Sequence, residues 1–92
     1  MVYGWSVKFY YVYVLLSLRD WKFYIGFTND LKRRFGEHQR GENISTSKRL
    51  PVRLIFYEAF LSKIDAERRE RYFKTAKGKT TLKQMLRDYL KK

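Results

Sequence analysis

The 92-residue chain has no cysteine, a single histidine and only nine acidic side chains against twenty-one Lys and Arg. Without cysteine there is no disulfide, no thiolate zinc site and no cysteine nucleophile. With His38 as its one imidazole, the chain has no metal site built on several histidines. Long apolar runs are missing too: the longest, residues 9–16, falls well short of the ~20 residues a membrane-crossing helix needs. It is also too rich in tyrosine for a signal peptide. No repeat and no low-complexity segment occurs. The expected setting is the cytoplasm, with no membrane association.

What is present is core material and positive charge. Hydrophobic residues make up 45% of the chain, with seven Phe and eight Tyr, enough to fold without staples. A chain of this size buries little over ~60% of its unfolded surface in one core, which predicts one domain. Residues 1–8 lack periodicity and read as a lead-in, so the domain is expected over 9–92. The net charge of +12 exceeds what solubility needs, and self-repulsion on that scale costs stability. A polyanion partner relieves it, and nucleic acid ranks above a membrane surface because no segment joins a basic face to a long apolar one.

From residue 10 to 16 both alternating faces are apolar or aromatic, the pattern of a strand in the middle of a sheet covered on both sides. "SLRDW" supplies a turn and residues 22–27 a second strand, with Phe23, Ile25 and Phe27 on one face and Tyr24 and Gly26 on the other. Thr28 or Asn29 is placed to cap a helix reaching about Arg40 and ending at Gly41. A polar loop closed by Pro51 leads to a third strand over 52–60. Ser62 or Asp65 opens a helix to about Ala76, "KGKT" interrupts it, and Thr80 or Thr81 caps a last helix through Leu90. The order β-β-α-β-α-α predicts an α+β fold: a small, three-stranded, mostly antiparallel sheet flanked by helices, with the first strand central.

On the first helix Leu31 and Phe35 mark the inward stripe, and Arg34 and His38 share that side, while Arg33 and Glu37 form a solvated pair. An arginine edging toward the sheet needs an anion, either a carboxylate or a bound phosphate. Glu70 falls on the inward side of the second long helix and is open to two readings, a metal ligand or an i,i+4 partner of Lys74. Tyr13 and Tyr24 read as core aromatics by spacing alone, although a hairpin would set them side by side. Gly26 weakens a strand unless something approaches its backbone closely.

Taken in order, "YVY" at 11–13, "YIG" at 24–26, "TNDLKRRFGEH", "KRLPVRLIFYEAF" and "ERRERYFKTAKGKTTLK" resemble the GIY-YIG endonuclease family. The likeness is greatest to small stand-alone bacterial proteins related to the nuclease domain of the excision-repair subunit UvrC, and it runs from about Tyr10 to Lys83. The resemblance implies a DNA endonuclease that hydrolyses phosphodiester bonds, with roles in DNA repair or recombination. A further protein would supply substrate choice.

By the same resemblance, Tyr13 matches the tyrosine of the first signature, and Tyr24 and Gly26 match the second. Arg34 matches the arginine that stabilises a phosphorane-like transition state, His38 the family's histidine or tyrosine position, and Glu70 the sole carboxylate holding Mg²⁺ or Mn²⁺. Nucleic-acid contacts are expected at Gly26, Arg33, Arg34, Lys48 and Arg49. Either tyrosine can be the general base, and a phenol of pKa ~10 needs a cation-rich, low-dielectric pocket for that role. The chain departs from the family in three places. The first signature lacks its glycine and isoleucine, Phe27 follows "YIG" where some relatives carry lysine, and no asparagine follows Glu70. A nucleic-acid-binding module of the same fold without the chemistry is therefore the alternative reading.

Overall fold

The computed structural model describes residues 7–91; residues 1–6 of the lead-in, and Lys92, lie outside the described residues. Strand β1 (Tyr10–Ser17) is central, with β2 (Phe23–Thr28) and β3 (Val52–Phe60) antiparallel to it on either side. Residues 12–17 of β1 are all buried, so the two-sided apolar pattern does mark a covered middle strand.

Each face of the sheet carries its own core. On one face Tyr13, Leu15 and Val52 pack with Tyr24, Leu31, Phe35, Leu50 and Leu54. Leu31 and Phe35 belong to helix α1 (Leu31–Gln39), which closes that side. On the other face Val12, Val14 and Ile25 meet Ala66 and Phe73 of α2 (Lys63–Phe73) and Leu82 of α3 (Ala76–Met85). A bulge in β3 serves both cores. Leu15 pairs with Leu54 but Val14 with Phe56, so the alternation of β3 reverses at Ile55. Val52 and Leu54 thereby face α1, while Phe56 and Phe60 face α2.

The helix ends show where local chemistry prevailed over expectation. Asp30, not Thr28 or Asn29, caps α1, its Oδ1 accepting the Arg33 N–H at 3.1 Å. Strand pairing of β2 runs on through Thr28, whose hydroxyl instead accepts the Asp30 N–H at 3.1 Å. Gly41 ends the helix in the left-handed conformation, φ +76°, and its N–H donates to the His38 carbonyl.

Ser62 caps α2 as one of the two expected choices, through the Asp65 N–H. The break before the next helix comes ahead of "KGKT", not at it: α2 ends at Phe73 and Thr75 caps α3, so "KGKT" lies inside a helix. Thr80 and Thr81 are mid-helix and donate back to the carbonyls of Ala76 and Lys77. Gly78 explains why the glycine does not break the helix. A Cβ there would run into the Tyr72 carbonyl, so its absence lets α3 start tight against the end of α2. A short helical turn, α4 (Arg87–Leu90), follows α3.

Candidate active site

Antiparallel pairing sets Tyr13 directly opposite Gly26 and Leu15 opposite Tyr24. All four side-chain positions face α1, and the Tyr13 and Tyr24 rings lie 6.3 Å apart between centroids. The Tyr13 phenol lies over Gly26: a Cβ at that position would collide with Cζ and Oη of the ring. The strand glycine thus serves the tyrosine beside it.

Helix α1 adds His38 to this pair. One turn beyond the inward Phe35, the imidazole is completely buried, and its Nε2 is 3.0 Å from the Tyr13 hydroxyl. On its other side Nδ1 is 2.7 Å from Oγ1 of Thr46, equally buried in the loop after α1. The ring also lies 5.0 Å from that of Tyr24, centroid to centroid. Both neutral tautomers satisfy the two hydrogen bonds. When Nδ1–H donates to Thr46, Nε2 accepts from Tyr13.

The electrostatics follow from burial. Desolvation, helped by the Arg34 charge, holds the His38 pKa below its ordinary value, so the ring is neutral at pH 7. Burial also pushes the Tyr13 phenol up to about 12, with Tyr24 and Glu70 adding to the rise and Arg34 opposing it. Among the described residues, Arg34 is the cation that bears directly on Tyr13. Its guanidinium also donates to Glu37 Oε1 at 3.0 Å, while Arg33 takes Glu37 Oε2 at 2.7 Å. The two arginines hold the Glu37 carboxyl below the usual carboxylate range. Arg33 with Glu37 is the expected pair, but the same carboxylate serves Arg34, and Arg33 also faces Asp30 at 3.4 Å.

Glu70 projects from α2, on the other side of the sheet, with its side chain only 20% exposed and Oε2 3.0 Å from Lys74 Nζ. Its charge reaches Tyr13. Among the described residues there is no cluster of three or more Asp, Glu, His or Cys that could cage a metal. One half-buried carboxylate still fits Mg²⁺, which keeps several waters and is commonly held by one or two carboxylates plus substrate phosphate. Lys74 would have to swing away, a change a solvent-exposed lysine makes at little cost.

Arg33 and Arg34 line an open cleft of about 380 Å³ with Tyr10, Phe27, Thr28, Asn29 and Lys63. Tyr10 and Phe27 stack in its wall, 3° from coplanar. Lys48 and Arg49 lie elsewhere, at the hairpin-turn end of the sheet. The Lys48 carbonyl accepts from Arg19 there, and Arg49 donates to the Phe23 carbonyl and faces Asp20 at 3.5 Å. Thr46 and Lys63 belong to the site without any sequence signal that singles them out. Thr46 sits in a polar loop eight residues from His38, and Lys63 is one of many lysines. Tyr11, in place of the first signature's glycine, packs edge-on to Tyr57.

Residues 9–84 match the model of the GIY-YIG catalytic domain. The chain is 47% identical over 70 residues to a UPF0213 protein of Lacticaseibacillus paracasei, covering 75% of this chain and 78% of that protein. It is 48% identical over 68 residues to a UPF0213 protein of Limosilactobacillus reuteri, covering 71% and 70%. A UPF0213 protein of Streptococcus pneumoniae is 44% identical over 68 residues, covering 73% and 68%. No solved structure matches the chain. The match of nearly the whole domain, with both tyrosine signatures meeting on one face of the hairpin, places this chain in the GIY-YIG nuclease family.

Proposed function

We infer that the chain is a metal-dependent DNA endonuclease. The observation that carries this is the buried Tyr13–His38 hydrogen bond, 3.0 Å long, with Arg34 beside it and Glu70 within electrostatic reach. A tyrosine whose pKa is raised does not act as a free phenolate at pH 7, but it can relay a proton. As a water attacks phosphorus, Tyr13 Oη takes a proton from it while passing its own to His38 Nε2. Arg34 stabilises the charge growing on the non-bridging oxygens. The P–O3′ bond breaks opposite the entering oxygen and the leaving 3′ oxygen takes a proton from solvent, giving a 5′-phosphate and a 3′-hydroxyl. Mg²⁺ or Mn²⁺ held by Glu70 would stabilise the leaving 3′ oxygen as a Lewis acid. Tyr24, packed against both Tyr13 and His38, fixes the two rings.

The cleft of Arg33, Arg34 and Lys63 suits a duplex backbone beside the reacting phosphate. Branched DNA in repair or recombination is the substrate this reading favours, with site choice aided by a second protein. A nicking assay on supercoiled and branched DNA, wild type beside Glu70→Ala in Mg²⁺, Mn²⁺ and EDTA, tests it. Metal-dependent cutting that disappears in the variant is expected. Binding without cutting by either protein would instead leave a nucleic-acid-binding module.

A further inference from the structure

The hairpin loop between β1 and β2 places an aromatic residue where the fold does not call for one. Trp21 has φ +59°, a left-handed conformation that glycine or asparagine ordinarily fills and that a bulky side chain adopts only at a cost. The loop is closed by the Trp21 N–H to the Ser17 carbonyl at 2.8 Å and the Ser17 N–H to the Lys22 carbonyl at 3.0 Å. Neither bond needs an indole. Trp21 is 58% exposed and belongs to neither core.

Around it lies a cleft of about 270 Å³ lined by Trp21, Lys22, Phe23, Arg49, Lys79 and Lys83. Lys79 and Lys83 are one turn apart on α3, a like-charge spacing that is unfavourable on a helix unless an anion lies between them. Among the described residues, Lys22, Lys79 and Lys83 form no ion pair. The nearby acid is Asp20, already facing Arg49 at 3.5 Å. Four cations therefore ring one exposed indole. Phe23, in this cleft, points to the opposite face of β2 from Tyr24, so the cleft is separate from the tyrosine cluster.

We propose that this cleft is a second nucleic-acid site that takes an unpaired segment of DNA, one base stacked on Trp21 and the flanking phosphates on Lys79, Lys83 and Arg49. A lone cationic patch would suit any polyanion; an exposed π-face set among the cations suits an unstacked base. The proposal rests on DNA as the substrate polymer, but binding at the cleft needs neither metal nor cleavage.

The test is fluorescence anisotropy in EDTA with labelled oligothymidine and an abasic oligonucleotide of equal length. The proteins are wild type, Trp21→Gly and the double variant Lys79→Gln/Lys83→Gln. Glycine suits the left-handed position, so Trp21→Gly keeps the fold, which a thermal melt verifies. Trp21→Gly should weaken oligothymidine binding by about tenfold and leave the abasic strand unchanged. The double variant should weaken both strands and lower the salt dependence by about 1.4 in log–log slope, the contribution of two single-strand phosphate contacts. Equal wild-type affinity for the two strands, or unaltered binding by Trp21→Gly, would overturn the proposal. So would polyglutamate competing as well as unlabelled oligothymidine, which would mark the cleft as a site for an acidic protein. None of these results bears on nicking of supercoiled duplex, so failure here and failure of the nuclease reading are told apart.

Discussion

The Tyr13 phenol lies across the α-carbon of Gly26, its directly opposed neighbour on β2, in space that any side chain at position 26 would occupy. The strand glycine and the tyrosine are thus one unit. Gly26→Ala should cost about 1–3 kcal/mol by overpacking and pull the phenol away from His38. The same change in a Tyr13→Ala background, where the ring is gone, should cost much less. Chemical denaturation of the four proteins of this double-mutant cycle gives the coupling, and a coupling near zero would mean that ring and backbone are not in contact.

Thr46 orients the imidazole from outside the family signatures. Thr46→Val keeps the shape and leaves Nδ1 of a fully buried ring unpaired, at about 1–3 kcal/mol. Cleavage should fall together with stability, whereas Thr46→Ser, which restores the hydroxyl, should recover both. Equal activity in the valine and serine variants would show that the ring does not need this anchor.

The two titrating groups bracket a stability plateau. Tyr13 has its folded pKa raised to about 12 from 10.0, so its contribution is complete below pH 10 and is lost as pH rises toward 12. His38 is shifted the other way: its folded pKa lies below the ordinary 6.5, so its contribution is complete above 6.5 and is lost as pH falls below that. Melting temperature against pH should therefore decline at both ends, the alkaline limb weakening in Tyr13→Phe. The relay also needs Tyr13 protonated and His38 neutral, which predicts a cleavage rate nearly flat from pH 7 to 9. A tenfold climb per pH unit over that range would identify a free phenolate as the base and contradict the relay.

Gly78 sets two opposing effects against each other. Alanine in a helix interior is worth about 1 kcal/mol over glycine. Here its Cβ would meet the Tyr72 backbone, which cannot move aside without shifting the end of α2. Overpacking of about 1–3 kcal/mol should prevail, so Gly78→Ala is expected to lower the unfolding midpoint in urea. A raised midpoint would mean the two helices have room to part.

Much of this arrangement can be read from the residues. The two-sided apolar run of β1, the period-two alternation of β2 and the left-handed Gly41 all appear in the structure as their patterns imply. The α2–α3 junction does not, because the cue at "KGKT" is tertiary: Gly78 is small to admit a neighbouring helix, not to end its own. The site divides in the same way. Tyr13 and Tyr24 follow from hairpin register, and Arg34 and His38 from helical spacing. Thr46 enters through a loop contact no periodicity encodes, and Gly26, which suggests close approach of a ligand, accommodates a side chain of its own chain. For Glu70 both readings persist together: the lysine pair is formed, and the carboxylate still reaches the tyrosine electrostatically.

The most direct test of the relay is the nicking rate of supercoiled DNA by Tyr13→Phe beside wild type under single-turnover conditions in Mg²⁺. Phenylalanine keeps the ring over Gly26 and removes only the hydroxyl that His38 contacts. The account predicts a folded protein that still binds DNA and cuts it about 10²–10⁴-fold more slowly, the usual worth of a positioned proton-transfer group. Cutting at the wild-type rate would contradict it.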